Sequence, residues 1–105
     1  MPVWQIVTTL PSREAADTLA AALVERRLAA CVQLDGPIHS CYRWQGAVTS
    51  EPEWRCTIKT SEARLDDCMR AVREQHPYEV PEILATPAAR ADEAYAAWVT
   101  EQTSE

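Results

Sequence analysis

Short apolar runs alternate along the chain with stretches of helical periodicity, and their order predicts a small α+β fold. Val3 to Thr9 mixes tryptophan, isoleucine, valine and threonine and is closed by Pro11, the signature of a buried first strand. Ser12 is placed to cap a helix. Within it Ala16, Leu19, Ala20, Leu23 and Leu28 recur near helical spacing with Glu14, Asp17, Glu25 and Arg26 opposite, and it ends near Arg27. Ala29 to Leu34 reads as a second strand, with Asp35-Gly36-Pro37 a turn or a bend within it.

Ile38 to Gln45 and Trp54 to Thr60 are aromatic and β-branched runs flanking the polar stretch Gly46 to Glu53, which predicts a hairpin. Two registers remain open. One pairs Trp44 with Trp54 and the other pairs Cys41 with Cys56, and a slip of one residue exchanges the faces. Thr60 or Ser61 caps the next helix, where Leu65, Cys68, Met69 and Val72 fall at i, i+3, i+4 and i+7. Glu82 to Thr86 forms a short strand that Pro87 ends. Asp92 opens a last helix with Tyr95, Trp98 and Val99 on one stripe, the two aromatics serving as packing anchors of the core.

The resulting order, β-α-β-β-α-β-α, is that of a ferredoxin-like β-α-β-β-α-β unit with an extra C-terminal helix, a four-stranded antiparallel sheet carrying two helices on one face. Residues 1–105 form one domain of this kind. Its second face is bare, and two helices cannot also cover Tyr42, Trp44 and Trp54 of the hairpin. A partner subunit or a closed ring of identical chains satisfies that need.

Composition narrows the function classes. With 47% hydrophobic and 25% charged residues the chain is a folded soluble type. A net charge of -6 repels phosphate backbones and anionic lipid, and Arg26-Arg27 reads as a helix C-terminus, so neither nucleic acid nor membrane is an expected partner. Uncharged runs such as Trp4 to Ser12 and Leu28 to Leu34 fall far short of the roughly 20 residues of a membrane span. Met1-Pro2-Val3-Trp4 lacks the basic region of a signal peptide, which points to the cytoplasm. The four cysteines, Cys31, Cys41, Cys56 and Cys68, contain no C-x-x-C pair and read as reduced thiols used as small apolar residues.

Candidate chemistry centres on His76-Pro77-Tyr78-Glu79-Val80-Pro81-Glu82, where two prolines stiffen the backbone and hold His76 and Val80 extended. His76 is the best single metal ligand, with Glu79 and Glu82 as helpers, because copper and its neighbours favour imidazole. His39 reads as a solvated strand residue. Trp44, Lys59, Tyr78 and Glu82 make a second candidate, an amphipathic ligand cleft at a subunit boundary, with Lys59 paired to Glu82. Its bland counterpart is a structural ion pair. No Ser-His-Asp arrangement, H-E-x-x-H or G-x-S-x-G is present, and Gly36 and Gly46 are too isolated to cradle phosphate, so neither an enzyme nor an organic cofactor is expected.

Several spaced motifs together carry a resemblance. Ala29-Ala30-Cys31-Val32, Ile38-His39-Ser40-Cys41-Tyr42-Arg43-Trp44-Gln45-Gly46, Ile58-Lys59-Thr60, the His76 to Ile83 run, and Tyr95 with Trp98 closely resemble the CutA family, named for tolerance to divalent cations. The resemblance implies a ferredoxin-like subunit in a tight homotrimer, similar in shape to the PII signalling proteins, in the bacterial cytoplasm and linked to copper and other divalent cations. It also implies a ligand set of a first-strand cysteine and a histidine pair before the proline loop. Here those places hold Thr8 and Gln75-His76, so one donor of three is kept. Two functions follow as expectations: a metal-responsive homotrimer with weak binding at His76, or a PII-like trimer sensing a small molecule at the Lys59 cleft.

Overall fold

A computed structural model describes residues 2–105. The sheet has four strands, β1 (Val3–Leu10), β2 (Cys31–Trp44), β3 (Ala47–Ser61) and β4 (Leu84–Pro87), ordered β2-β3-β1-β4. Every neighbouring pair is antiparallel. Helices α1 (Arg13–Glu25), α2 (Leu65–Gln75) and α3 (Glu93–Gln102) complete the chain.

Alternation along the strands sorts the two faces. Ile6, Leu10, Cys56 and Ile58 point to the side where α1 and α2 lie, packing with Ala16, Leu19, Leu23, Cys68, Ala71 and Val72. Ile6, Leu23, Ile58 and Val72 are fully buried there, and each such side chain contributes about 1.5–3 kcal/mol. On the opposite side lie Gln5, Val7, Gln33, Thr57 and Lys59, paired with one another across the strands and covered by neither α1 nor α2.

α3 covers one end of that second face. It lays Ala96 and Val99 on Val3 and Ala30, and the Thr103 hydroxyl donates to Ser61 Oγ at 2.8 Å. The small residues at positions 96, 99 and 103 set a close approach to the sheet, which turns the neighbouring stripe outward. Tyr95 and Trp98, expected in the core, are therefore 38% and 42% exposed, and their rings lie beside each other with centroids 5.8 Å apart. Asp92 caps α3 as expected, its carboxylate accepting from the Tyr95 N–H.

Ser12 likewise caps α1, accepting from the Ala15 N–H. The helix closes in a Schellman motif, with Arg27 N–H donating to Val24 O and Leu28 N–H to Leu23 O. Its left-handed position, usually glycine, is Arg27 with φ 58°. The compensation is visible in α3, whose last carbonyls, Glu101 O and Gln102 O, accept from the Arg27 guanidinium. Neither Thr60 nor Ser61 caps through its side chain: the Thr60 hydroxyl donates to Leu28 O, and a 3-10 turn over Glu62–Arg64 precedes α2.

The hairpin corrects both expected registers, since Trp44 pairs with Ala47 and Cys41 with Ser50. The reason is the turn. Gln45 and Gly46 both have positive φ, 49° and 79°, the pattern of a two-residue I′ connection, so Ala47 to Glu53 continues the strand and is no loop. Asp35-Gly36-Pro37 is likewise inside β2: Gly36 and Pro37 together oppose Trp54, forming a bulge flanked by the Asp35–Arg55 pair at 2.8 Å. Beyond the bulge, Ile38 to Trp44 and Ala47 to Glu53 pair only with each other among the described residues. This two-stranded arm exposes Tyr42, Trp44 and Val48, and such a ribbon is marginal in water by itself.

Burial accounts for two of the thiols. It pushes the Cys56 thiol up to about 11 and the Cys68 thiol up to about 12, so both act as small apolar side chains. Cys31 is half-buried, Cys41 is exposed, and none of the four is in a disulfide. No helix among the described residues is long and apolar enough to cross a membrane.

Candidate functional site

The proline loop returns from α2 across the root of the arm, where β1 ends. Three side chains and one backbone carbonyl meet there. His76 Nε2 lies 2.8 Å from Thr9 O, and the Tyr78 N–H donates to His76 Nδ1 at 3.2 Å. A nitrogen that accepts an N–H must carry the lone pair, so the proton sits on Nε2, which donates to Thr9 O. The two rings lie 4.9 Å apart, and the Tyr78 hydroxyl donates to Glu53 Oε2 at 2.8 Å.

Burial holds the His76 imidazole below its ordinary range, and the Arg73 charge adds to this against the opposing pull of Thr9 O and Glu53. The same surroundings push the Tyr78 phenol up, first by burial and then by its bond to the Glu53 carboxylate. Glu53 is itself 7% exposed, unusual for a carboxylate, and its position follows from the bulge, which sets Ile38 opposite it. Sequence reasoning missed Glu53 by assigning it to a loop. Gly46 was the one signal for the tight turn that extends β3 through Glu53, since glycine favours positive φ, whereas Gln45 before it is not a residue type that marks such a turn.

The metal candidates are only partly assembled. Thr9 O accepts the Nε2 proton and so orients the ring, leaving Nδ1 as the ligating nitrogen, yet a metal there must displace the Tyr78 N–H. Glu79 and Glu82 are exposed on the loop. Among the described residues, no three His, Cys, Asp or Glu side chains are disposed to share an ion. Thr8 is buried with its hydroxyl unpartnered among the described residues, and it offers no soft ligand. The residues of one chain therefore fit a single weak donor and do not fit a closed metal centre.

The second candidate is dispersed within one chain. Tyr78 sits on Glu53, while Lys59 lies farther along β3, and its ammonium donates to Gln33 Oε1 at 2.9 Å in place of the expected Glu82. Lys59 pairs with Gln5 and Cys31, strand positions remote from the loop that carries Glu82. Trp44 is at the arm's tip, about 40 Å along the strand from Lys59 at roughly 3.3 Å per residue. Only Tyr78 and Glu82 share an element.

Comparison with known proteins follows this geometry closely. The family model described as "CutA1 divalent ion tolerance protein" matches residues 4–102. The chain belongs to the CutA1 family. It is 43% identical over 98 residues to the divalent-cation tolerance protein CutA of Thermus thermophilus, covering 93% of this chain and 95% of that one. A solved structure of a Thermus thermophilus divalent cation tolerance protein superposes with a TM-score of 0.92 at 41% identity, covering 97% of this chain and 99% of that one. The chloroplastic CutA protein of Arabidopsis thaliana is 36% identical over 98% of this chain, which spans 57% of its length. As a CutA1 protein this chain has the α+β fold of its relatives, an antiparallel sheet with three helices, and a family name that speaks of divalent ions.

Proposed function

We propose that this chain is a single, non-enzymatic ferredoxin-like domain that assembles into a cytoplasmic homotrimer and serves tolerance of divalent cations, copper among them, by weak metal binding at His76. The observation that carries this reading is the presentation of the His76 ring: Thr9 O takes the Nε2 proton and leaves Nδ1, which holds the ring's lone pair, as the metal's nitrogen. Loss of the Tyr78 N–H contact on binding keeps affinity low. Glu79 and Glu82 of a neighbouring copy complete the donor set. The strand order β2-β3-β1-β4, with α1 and α2 on one face, supports the ferredoxin-like assignment. Support for assembly comes from the unsupported arm and its exposed Tyr42, Trp44 and Val48. Calorimetric titration of the reduced, metal-free protein with copper(II) tests the reading, with assembly mass followed by light scattering. Binding lost in His76→Ala, with a trimer in both proteins, is expected; unchanged affinity in that variant sinks it.

One observation favours a PII-like sensing role for the same trimer. Lys59 is half-buried on the bare sheet face, and its side-chain partner is the neutral Gln33, so its charge stands without a carboxylate at hydrogen-bond distance among the described residues. In this second reading Trp44 and Tyr78 of the arm and loop, with Glu82, close on Lys59 across a subunit boundary and hold an anionic or amphipathic small molecule. A metabolite screen that finds thermal stabilisation lost in Lys59→Ala supports it. A screen without any such compound excludes it.

A further inference from the structure

A separate cleft lies on the helix side of the molecule, away from the arm. Its volume is about 320 Å³, and its charged lining comes from Arg26 after α1, Arg64 before α2, Asp67, Arg70 and Glu74 on α2, and Glu105 after α3. Arg64 is the central group, with a side chain only 15% exposed. One terminal nitrogen donates to Glu105 Oε1 at 2.7 Å and approaches Asp67 Oδ2 at 3.4 Å. Its Nε–H is buried and without an acceptor among the described residues.

The Nε–H lies on the guanidinium edge away from the nitrogen that Glu105 and Asp67 hold, so the cleft meets Arg64 through that terminal nitrogen. Glu105 meets Arg64 through a single oxygen, from a side chain 83% exposed. Such an ion pair holds weakly. Asp67 is already shared with Arg70 at 2.9 Å, while Arg26 has no ion-pair partner among the described residues. When Glu105 swings out, three guanidiniums face two carboxylates across the cleft.

We infer that this cleft is a binding site for a small oxyanion, a phosphate or carboxylate group received by Arg64 and Arg26, and that the Glu105 carboxylate is its intramolecular competitor. The incoming anion takes the place of Glu105 on the terminal nitrogen of Arg64 and also meets Arg26, whose charge Glu105 leaves unpaired. Binding is weak and salt-sensitive, because the cleft is open and nearly charge-balanced.

Two-dimensional proton–nitrogen spectra of the arginine Nε–H groups give the test, with sodium phosphate and sodium succinate titrated separately against sodium chloride at matched ionic strength. A saturable shift of the Arg64 signal by phosphate alone identifies a phosphate site, and one by succinate alone a carboxylate site; either supports the inference. Glu105→Gln is expected to tighten the apparent affinity about two- to five-fold, the worth of an exposed ion pair. Arg26→Ala, an exposed substitution, is expected to weaken it while the spectrum of the folded core stays unchanged. Shifts that merely track ionic strength, or an affinity indifferent to Glu105→Gln, overturn it.

Discussion

The Tyr78 hydroxyl and the Glu53 carboxylate, 2.8 Å apart, tie the proline loop to the root of the arm. Tyr78 is also the residue whose N–H meets His76, so one side chain links the candidate ligand to the segment that extends beyond the sheet. Removing the hydroxyl leaves a carboxylate that is 7% exposed without this donor. Tyr78→Phe is therefore expected to cost about 1.5–3 kcal/mol, the range for a hydrogen bond to a charged group. Urea unfolding of the two proteins measures it, and the m-value is expected to stay constant.

His76 makes stability depend on pH in a definite direction. Its folded-state value is held below the ordinary 6.5, mainly by burial, so the unfolded chain takes up the proton first as pH falls. The neutral ring's contribution is complete above 6.5 and is lost as pH drops through the folded value. Protonation also turns Nδ1 from an acceptor into a donor facing the Tyr78 N–H. Urea midpoints measured from neutral pH to about pH 5 are expected to fall less steeply in His76→Gln than in the parent protein.

Two buried threonines in the sheet offer opposite outcomes for the same substitution. Thr8 Oγ1 is buried without a partner among the described residues, whereas the Thr60 hydroxyl donates to Leu28 O at 2.6 Å. Both side chains are fully buried. Thr8→Val exchanges an unsatisfied hydroxyl for a methyl group and is expected to stabilise by about 1 kcal/mol. Thr60→Val strands the Leu28 carbonyl and is expected to cost about 1–2 kcal/mol. Thermal unfolding of both variants checks the pair, and a common sign would contradict the assignment of their hydroxyls.

The sequence announces elements wherever local chemistry and periodicity agree. Ser12 and Asp92 are caps by residue type and by observed contact, and the Leu65, Cys68, Met69, Val72 spacing lies on the buried side of α2. Partners set by tertiary geometry were less legible. Gln45 sits at positive φ with no special residue type to signal it, so the turn looked longer and the register shifted. Tyr95 and Trp98 look like core because they share a helical stripe with Val99 and no basic residue lies between them, yet Ala96 and Val99 decide how α3 approaches the sheet. At the candidate site, His76 and Tyr78 stood out by their prolines. Thr9 O did not, because a backbone carbonyl leaves no mark in a residue pattern.

The bulge supplies the most position-specific prediction. A β-carbon built on Gly36 would lie 2.6 Å from Cε3 of Trp54 and 3.1 Å from Glu53 O, closer than packed carbon and oxygen atoms tolerate. Trp54 also lies against the Arg13 guanidinium, 5.6 Å from the ring centre, and it packs against the main core. The ring therefore cannot yield without moving β3, and Glu53 is the next residue along that strand. Gly36→Ala is expected to destabilise the protein by about 1–3 kcal/mol, as overpacking does, and to weaken the Tyr78–Glu53 contact with it. In Tyr78→Phe, where that contact is already gone, the same glycine substitution should cost less. A double-mutant cycle by urea unfolding reads this coupling, and strict additivity would show that the bulge and the proline loop are independent.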